Sequence, residues 1–191
     1  MERQAKYSKN QGKPIGLKKA KAQRRRWKRG AKERNHPADS FKIPFDLLTK
    51  NLSHTECSAI KFCNGLDGKG KYTPVICAVD EFGEILSAFD QKGEITSSSF
   101  NACRENWSNE YPLSKGYPQF FFFGSDSIRE NIENFDVGRY EAIFVEKDTG
   151  DPSALLLGYS ASGMKDPGEE DEDPETALNW TGFCPPICET R

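Results

Sequence analysis

Residues Cys57–Asp80 read CSAIKFCN (57–64), GLDGKGK (65–71) and YTPVICAVD (72–80): an apolar run, a glycine-rich break and a second apolar run. β-Branched and aromatic runs bounded by Gly and Asp are the pattern of strand, turn, strand. A second break at Asp80-Glu81-Phe82-Gly83 leads into EILSAFD (84–90), a third strand. The stretch therefore predicts an antiparallel meander, with Ile60, Phe62, Val75, Cys77 and Val79 in its core. A phosphate loop would need G-x4-G-K-[ST] opening a helix, whereas this turn opens onto Tyr72-Thr73-Pro74 and a strand. EF-hand ligand spacing is also missing.

Upstream of the meander, Phe41–Pro44 reads as a short strand or extended entry, and FDLLTKNL (45–52) as a short helix with Phe45, Leu48 and Leu52 on one side. Before it, Leu17, Ala20, Arg24, Trp27 and Ala31 recur at helical spacing. That helix ends near His36-Pro37, because the residue before proline disfavours the helical conformation. Gly30 weakens its last turn by about 1 kcal/mol. Residues 1–14 have no period and are expected to be a mobile basic arm.

Downstream, residues 90–118 are Ser-, Asn- and Pro-rich around a short helix near Phe100–Trp107. PQFFFFG (118–124) is a strand, and SDSIRENIENF (125–135) is a helix with a Ser/Asp start. RYEAIFVEKDTGDPSALLLGYS (139–160) is a hairpin turning at Asp148–Pro152. Residues 161–176 read as an acidic linker with no core-forming content, and residues 177–191 as a separate tail. The expected fold is α+β over residues 15–160: an antiparallel sheet of about five or six strands with two packed helices.

The charge is polarised. The chain has a net charge of −2, but residues 1–35 hold 14 Lys/Arg against two acids, and residues 36–191 hold 13 against 27. Seven acids fall within Asp166–Glu175. Opposite poles favour self-association, internal masking or partners of opposite sign. The candidate site is the basic helix: Lys18, Lys19, Lys21, Arg24, Arg25, Arg26, Lys28 and Arg29, with Trp27 among them. Such cations contact phosphates or an acidic protein surface, and the indole stacks or anchors. The competing reading makes Trp27 a core residue and the cations a solvated face.

From about Leu17 to Asp90 the chain resembles a family of small uncharacterised bacterial proteins. The residues that carry the likeness are LKKAKAQRRRW (17–27), FKIPFDLL (41–48), Cys57, the turn Gly65-Leu66-Asp67-Gly68, the turn Val79–Gly83, and the tail Cys184-Pro185-Pro186-Ile187-Cys188. The chain departs from the pattern at Ala59-Ile60-Lys61, where the family has Gly-Ile-Arg, and in the long addition at 91–176. The resemblance implies a domain that includes the basic helix. It implies no activity.

The six cysteines, at 57, 63, 77, 103, 184 and 188, are too sparse for a disulfide scaffold; the default for each is a small buried hydrophobe. A polyproline-like path would set Cys184 and Cys188 roughly 12 Å apart. A disulfide needs Cα atoms within about 7 Å, so this pair closes only if the Pro-Pro segment turns. A half zinc site, a modified thiol and a tail packed with inert thiols remain the other readings, and the last is favoured because a second Cys knuckle is missing. No cofactor is expected. No apolar run approaches the length of a membrane span, and no apolar segment follows the basic start, so the expected place is the cytoplasm, away from membranes.

These features describe a non-enzymatic interaction module with a basic N-terminal surface and an acidic C-terminal tether. The alternatives are a nucleic-acid-binding protein using residues 13–34, and a hydrolase or thiol-dependent enzyme whose site the sequence does not reveal. If the acidic run masks the basic helix in the same molecule, removing residues 165–176 tightens binding to a generic nucleic acid at low salt. The gap then narrows at high salt, as screening over about 8 Å sets in. Equal affinities before and after the deletion would mean the two poles ignore each other.

Overall fold

Three turns built on the same device set the meander. In Asp67-Gly68-Lys69-Gly70-Lys71, the Asp67 carboxylate accepts hydrogen bonds from the backbone N–H groups of Lys69 and Lys71, each at 2.9 Å. Those two amides, Lys71 first, hold the Asp67 carboxyl below the usual carboxylate range. Asp80 accepts in the same way from Phe82 and Glu84, and Asp90 from Lys92. The glycine three residues after each aspartate takes positive φ: +75° at Gly70, +91° at Gly83 and +138° at Gly93. Side-chain capping by Asp and the freedom of glycine are what tight turns require.

A computed structural model of the chain describes residues 5–34, 40–112, 118–149, 152–160, 174 and 176–179. The turns join β3 (Ala59–Cys63), β4 (Val75–Val79), β5 (Ile85–Asp90) and β6 (Gly93–Glu94). β7 (Phe120–Gly124) pairs on the other side of β3, so the sheet runs β6-β5-β4-β3-β7. A second sheet forms around the long hairpin of β8 (Val137–Glu146) and β9 (Pro152–Ser160). It adds β2 (Ser40–Ile43), β10 (Thr176–Asn179) and β1 (Lys13–Pro14) in the order β1-β10-β9-β8-β2. The helices are α1 (Leu17–Arg34), α2 (Phe45–Leu52), α3 (Ser97–Glu110) and α4 (Ser125–Phe135). The class is α+β with antiparallel pairing, and its strands divide between two five-stranded sheets. No described helix is long and apolar enough to cross a membrane.

Alternate residues of each strand point into different apolar layers. Ile60, Phe62, Ile76, Ala78, Phe121 and Phe123 of the first sheet meet Phe41, Tyr140, Ala142, Phe144 and Leu156 of the second in one central core. The rings touch across it: Phe41 lies 6.0 Å from Phe62, and Phe121 lies 5.9 Å from Phe144. Ala59, Cys63, Cys77 and Phe122 form a second layer with Phe100 of α3 and Tyr7. Ile143, Val145, Leu155 and Leu157 form a third with Ala20 of α1. Each face of each sheet therefore carries an apolar layer, and β4 and β7 are buried at every position. Leu48 and Leu52 of α2 and Ile128 of α4 complete the central core.

Two segments depart from the sequence expectation. Residues 5–14, expected as a mobile arm, form a strap. The N–H groups of Lys6 and Tyr7 donate to the Glu81 carbonyl, the Lys9 carbonyl accepts from Asp126 and Ser127 at the start of α4, and β1 pairs with β10. Tyr7 is buried edge-on against Phe122 at 4.7 Å. The second departure is β10, which falls across the expected boundary between linker and tail. Leu178 enters the central core and Ala177 the third layer, so this segment belongs to the domain. The buried network Tyr140 OH to Asn131 to Thr176 Oγ1, at 2.7 and 2.8 Å, ties it to α4 and β8.

Gly124 is where strap and sheet meet. A Cβ there would overlap the Lys9 carbonyl oxygen and the Gln11 amide nitrogen, both main-chain atoms that cannot rotate away. Gly124→Ala should therefore lift the strap and lower stability by more than about 1 kcal/mol, the centre of the distribution for point mutants. Chemical denaturation measures it, with faster amide exchange confined at first to residues 6–14.

Candidate functional site

α1 is a helix that its own charges oppose. Its 18 residues hold ten Lys/Arg and one acid, Glu33, and its first turn has no acid. Cations in the first turn face the positive end of the helix dipole, and like charges four apart cost about 0.2–0.5 kcal/mol per pair. Good intrinsic propensity for Ala, Lys, Arg and Gln works the other way. Packing decides the balance.

The packing line is Ala20, Gln23 and Trp27, with exposures of 3%, 2% and 1%. Ala20 lies on the outer layer of the second sheet. Trp27 reaches the central core, where its indole stacks on Phe144 at 5.6 Å and 27°. One residue earlier, Arg26 bonds the Glu146 carbonyl through Nε at 3.2 Å and pairs with the Asp148 carboxylate. The helix is thus clamped to the end of β8 by an aromatic stack and an arginine side by side.

Lys18, Lys21, Arg25, Lys28 and Arg29 are all exposed. At 3.6 residues per turn they fall within an arc of about 100° that lies nearly opposite the buried line. Lys19 is exposed on one flank, while Arg24 and Arg26 are half-buried. The nine residues expected as one site therefore separate into three roles. Six cations face solvent, two arginines lie at the seam with the sheet, and Trp27 is core. Trp27 cannot stack on a partner, because its ring is enclosed between α1 and Phe144. Gln23 took a core position that its polarity did not announce. Cys184 and Cys188 lie outside the described residues, as does the acidic run Asp166–Glu175 apart from Pro174.

The described cysteines are thiols outside any disulfide; Cys57, Cys63 and Cys77 are buried and Cys103 half-buried. The Cys77 thiol is pushed well above its ordinary range by its hydrogen bond with Cys63 and by burial. Burial also raises Cys57 and Cys103. Thiols held protonated are poor nucleophiles. Among the described residues, no group of three or more His, Cys, Asp or Glu is placed to hold a metal.

The charge array has a direct consequence for stability. Arg25→Glu replaces two like-charge relations, with Lys21 and with Arg29, by two attractive pairs at four-residue spacing. Each is worth about 0.2–0.5 kcal/mol. The variant should melt at the same temperature as the parent or slightly higher, and the gain should shrink with added salt. A clear loss of stability would mean that Arg25 makes a structural contact. Comparison of the chain with known protein families, with curated proteins and with solved structures gave no match, so the site rests on its own geometry.

Proposed function

We propose that the chain is a non-enzymatic interaction module that holds an anionic macromolecule against the solvent face of α1. The observation that carries this reading is the separation of the helix into a buried line of Ala20, Gln23 and Trp27 and an exposed stripe of Lys18, Lys21, Arg25, Lys28 and Arg29. A solvated face needs charge, but it does not need charge of one sign. Interspersed acids would stabilise the helix, and none lies between Lys18 and Arg29. An anionic partner relieves the like-charge repulsion along the stripe, so binding and helix stability reinforce each other. Among the described residues, burial at Cys57, and at Cys77 its hydrogen bond with Cys63 and burial, keep both thiols protonated, which makes them poor nucleophiles. The acid-rich run from Asp166 to Glu175 supplies an internal competitor for the same face.

The test is retention on immobilised heparin, a generic polyanion, across a salt gradient. The parent should elute at clearly higher salt than a variant carrying Lys21→Glu, Arg25→Glu and Lys28→Glu, with both proteins showing the same cooperative melt. Equal elution would overturn the assignment of the site to α1.

A further inference from the structure

We infer that the partner of the α1 stripe is the phosphate backbone of double-stranded DNA; the inference rests on the function proposed above. The first support is what the exposed face lacks. The exposed residues of α1 between Leu17 and Gly30, namely Lys18, Lys19, Lys21, Arg25, Lys28 and Arg29, are all cations, and the aromatic residue of the helix is turned into the core. The exposed large hydrophobics among the described residues, Ile85 and Phe135, sit at the start of β5 and the end of α4, not on α1. Protein partners are held mainly by a few aromatic or arginine anchors seated in pockets. Nucleic-acid backbones are held by charge, through release of condensed counterions. A row of exposed lysines and arginines with no aromatic residue among them fits the second.

The same absence selects between forms of nucleic acid. Single strands are bound by stacking their bases on aromatic side chains, and Trp27 is unable to offer its ring. A duplex needs no stacking platform. It needs a rigid row of cations, and the Trp27–Phe144 stack with the Arg26 clamp supplies the rigidity.

Shape selects DNA. From Lys18 to Arg29 the stripe runs about 16 Å along the axis at 1.5 Å per residue. α1 lies on the outer face of the second sheet, so its exposed half projects from the domain. A helix about 10–12 Å across matches the B-DNA major groove of about 12 Å, while the A-form RNA groove is too deep and narrow to admit one. Lys19 and Lys28 point to opposite flanks, about 180° apart by helical geometry. Each flank therefore offers a cation to one wall of phosphates, with Lys18, Arg25 and Arg29 between them.

Fluorescence anisotropy of the full chain, at salt from about 50 to 200 mM, tests this with a mixed-sequence duplex DNA of about 20 base pairs, the matching duplex RNA, single-stranded DNA and polyglutamate. Five phosphate contacts give a slope of log K against log salt of about −4 to −5, a loss of several hundredfold across that range. Arg25→Glu should weaken duplex DNA at least about tenfold and flatten the slope by one unit or more. Its melting temperature should not fall, which separates lost contact from lost fold. Tighter binding of single strands, or equal binding of duplex RNA, would overturn the inference. Heparin or polyglutamate binding through α1 without DNA binding would overturn it too, yet leave the proposed function standing. No binding to any of the four anions, together with unretarded elution from heparin, would remove both.

Discussion

The stack of Trp27 on Phe144 is the contact on which α1, and so the whole functional surface, depends. A helix with ten cations and one acid gains little from its own side chains, because neighbours along its exposed face repel. Burial of one large aromatic is the compensating term: truncating a fully enclosed tryptophan typically costs about 3–5 kcal/mol, a fifth or more of the stability of a small domain. The stack also sits in the central core, in the same cluster as Phe121 and Phe62. The position of the helix is therefore coupled to both sheets rather than to one surface of one of them.

That coupling follows from the layered plan. Each sheet has two apolar faces, and each face must find cover. The central core covers one face of each sheet, α1 covers the outer face of the second sheet, and α3 with Tyr7 covers the outer face of the first. The strap of residues 5–14 then runs from the Glu81 turn, past the start of α4, to the edge of the second sheet, where β1 closes on β10. It crosses from one sheet to the other just before α1 begins. The basic helix is thus anchored at two places: by the strap before Leu17 and by Trp27 just past its midpoint.

Much of this was legible in the chain. The meander was carried by its turns, since Asp67 and Asp80 with Gly70 and Gly83 announce reversals whatever surrounds them. α4 showed its Ser-Asp start and its Ile128 spacing, and α1 showed Trp27 at helical distance from Ala20. The division into two sheets was not legible, for a physical reason. Alternation of apolar and polar residues marks a strand with one wet face, and β4 and β7 have none. The strap was hidden because its cohesion is main-chain bonding at Lys6, Tyr7 and Lys9, which side-chain pattern does not record. Thr176–Asn179 is too short to signal a strand, and owes its place to Leu178 in the core and to pairing with β9. At the site, the sequence identified the cations but not their directions. Which of Arg24, Arg25 and Arg26 faces solvent is decided by where Trp27 and Ala20 meet the sheet.

α1 is a rigid part of the domain, held there by Trp27. Hydrogen exchange of the α1 amides in the full chain and in Trp27→Ala tests it most directly. In the parent, amides from Lys21 to Lys28 should exchange as slowly as those of β8. In the variant they should become fast, while β3 and β4 keep most of their protection. Rapid exchange of α1 in the parent, or exchange that is indifferent to the substitution, would mean that Trp27 does not hold the helix.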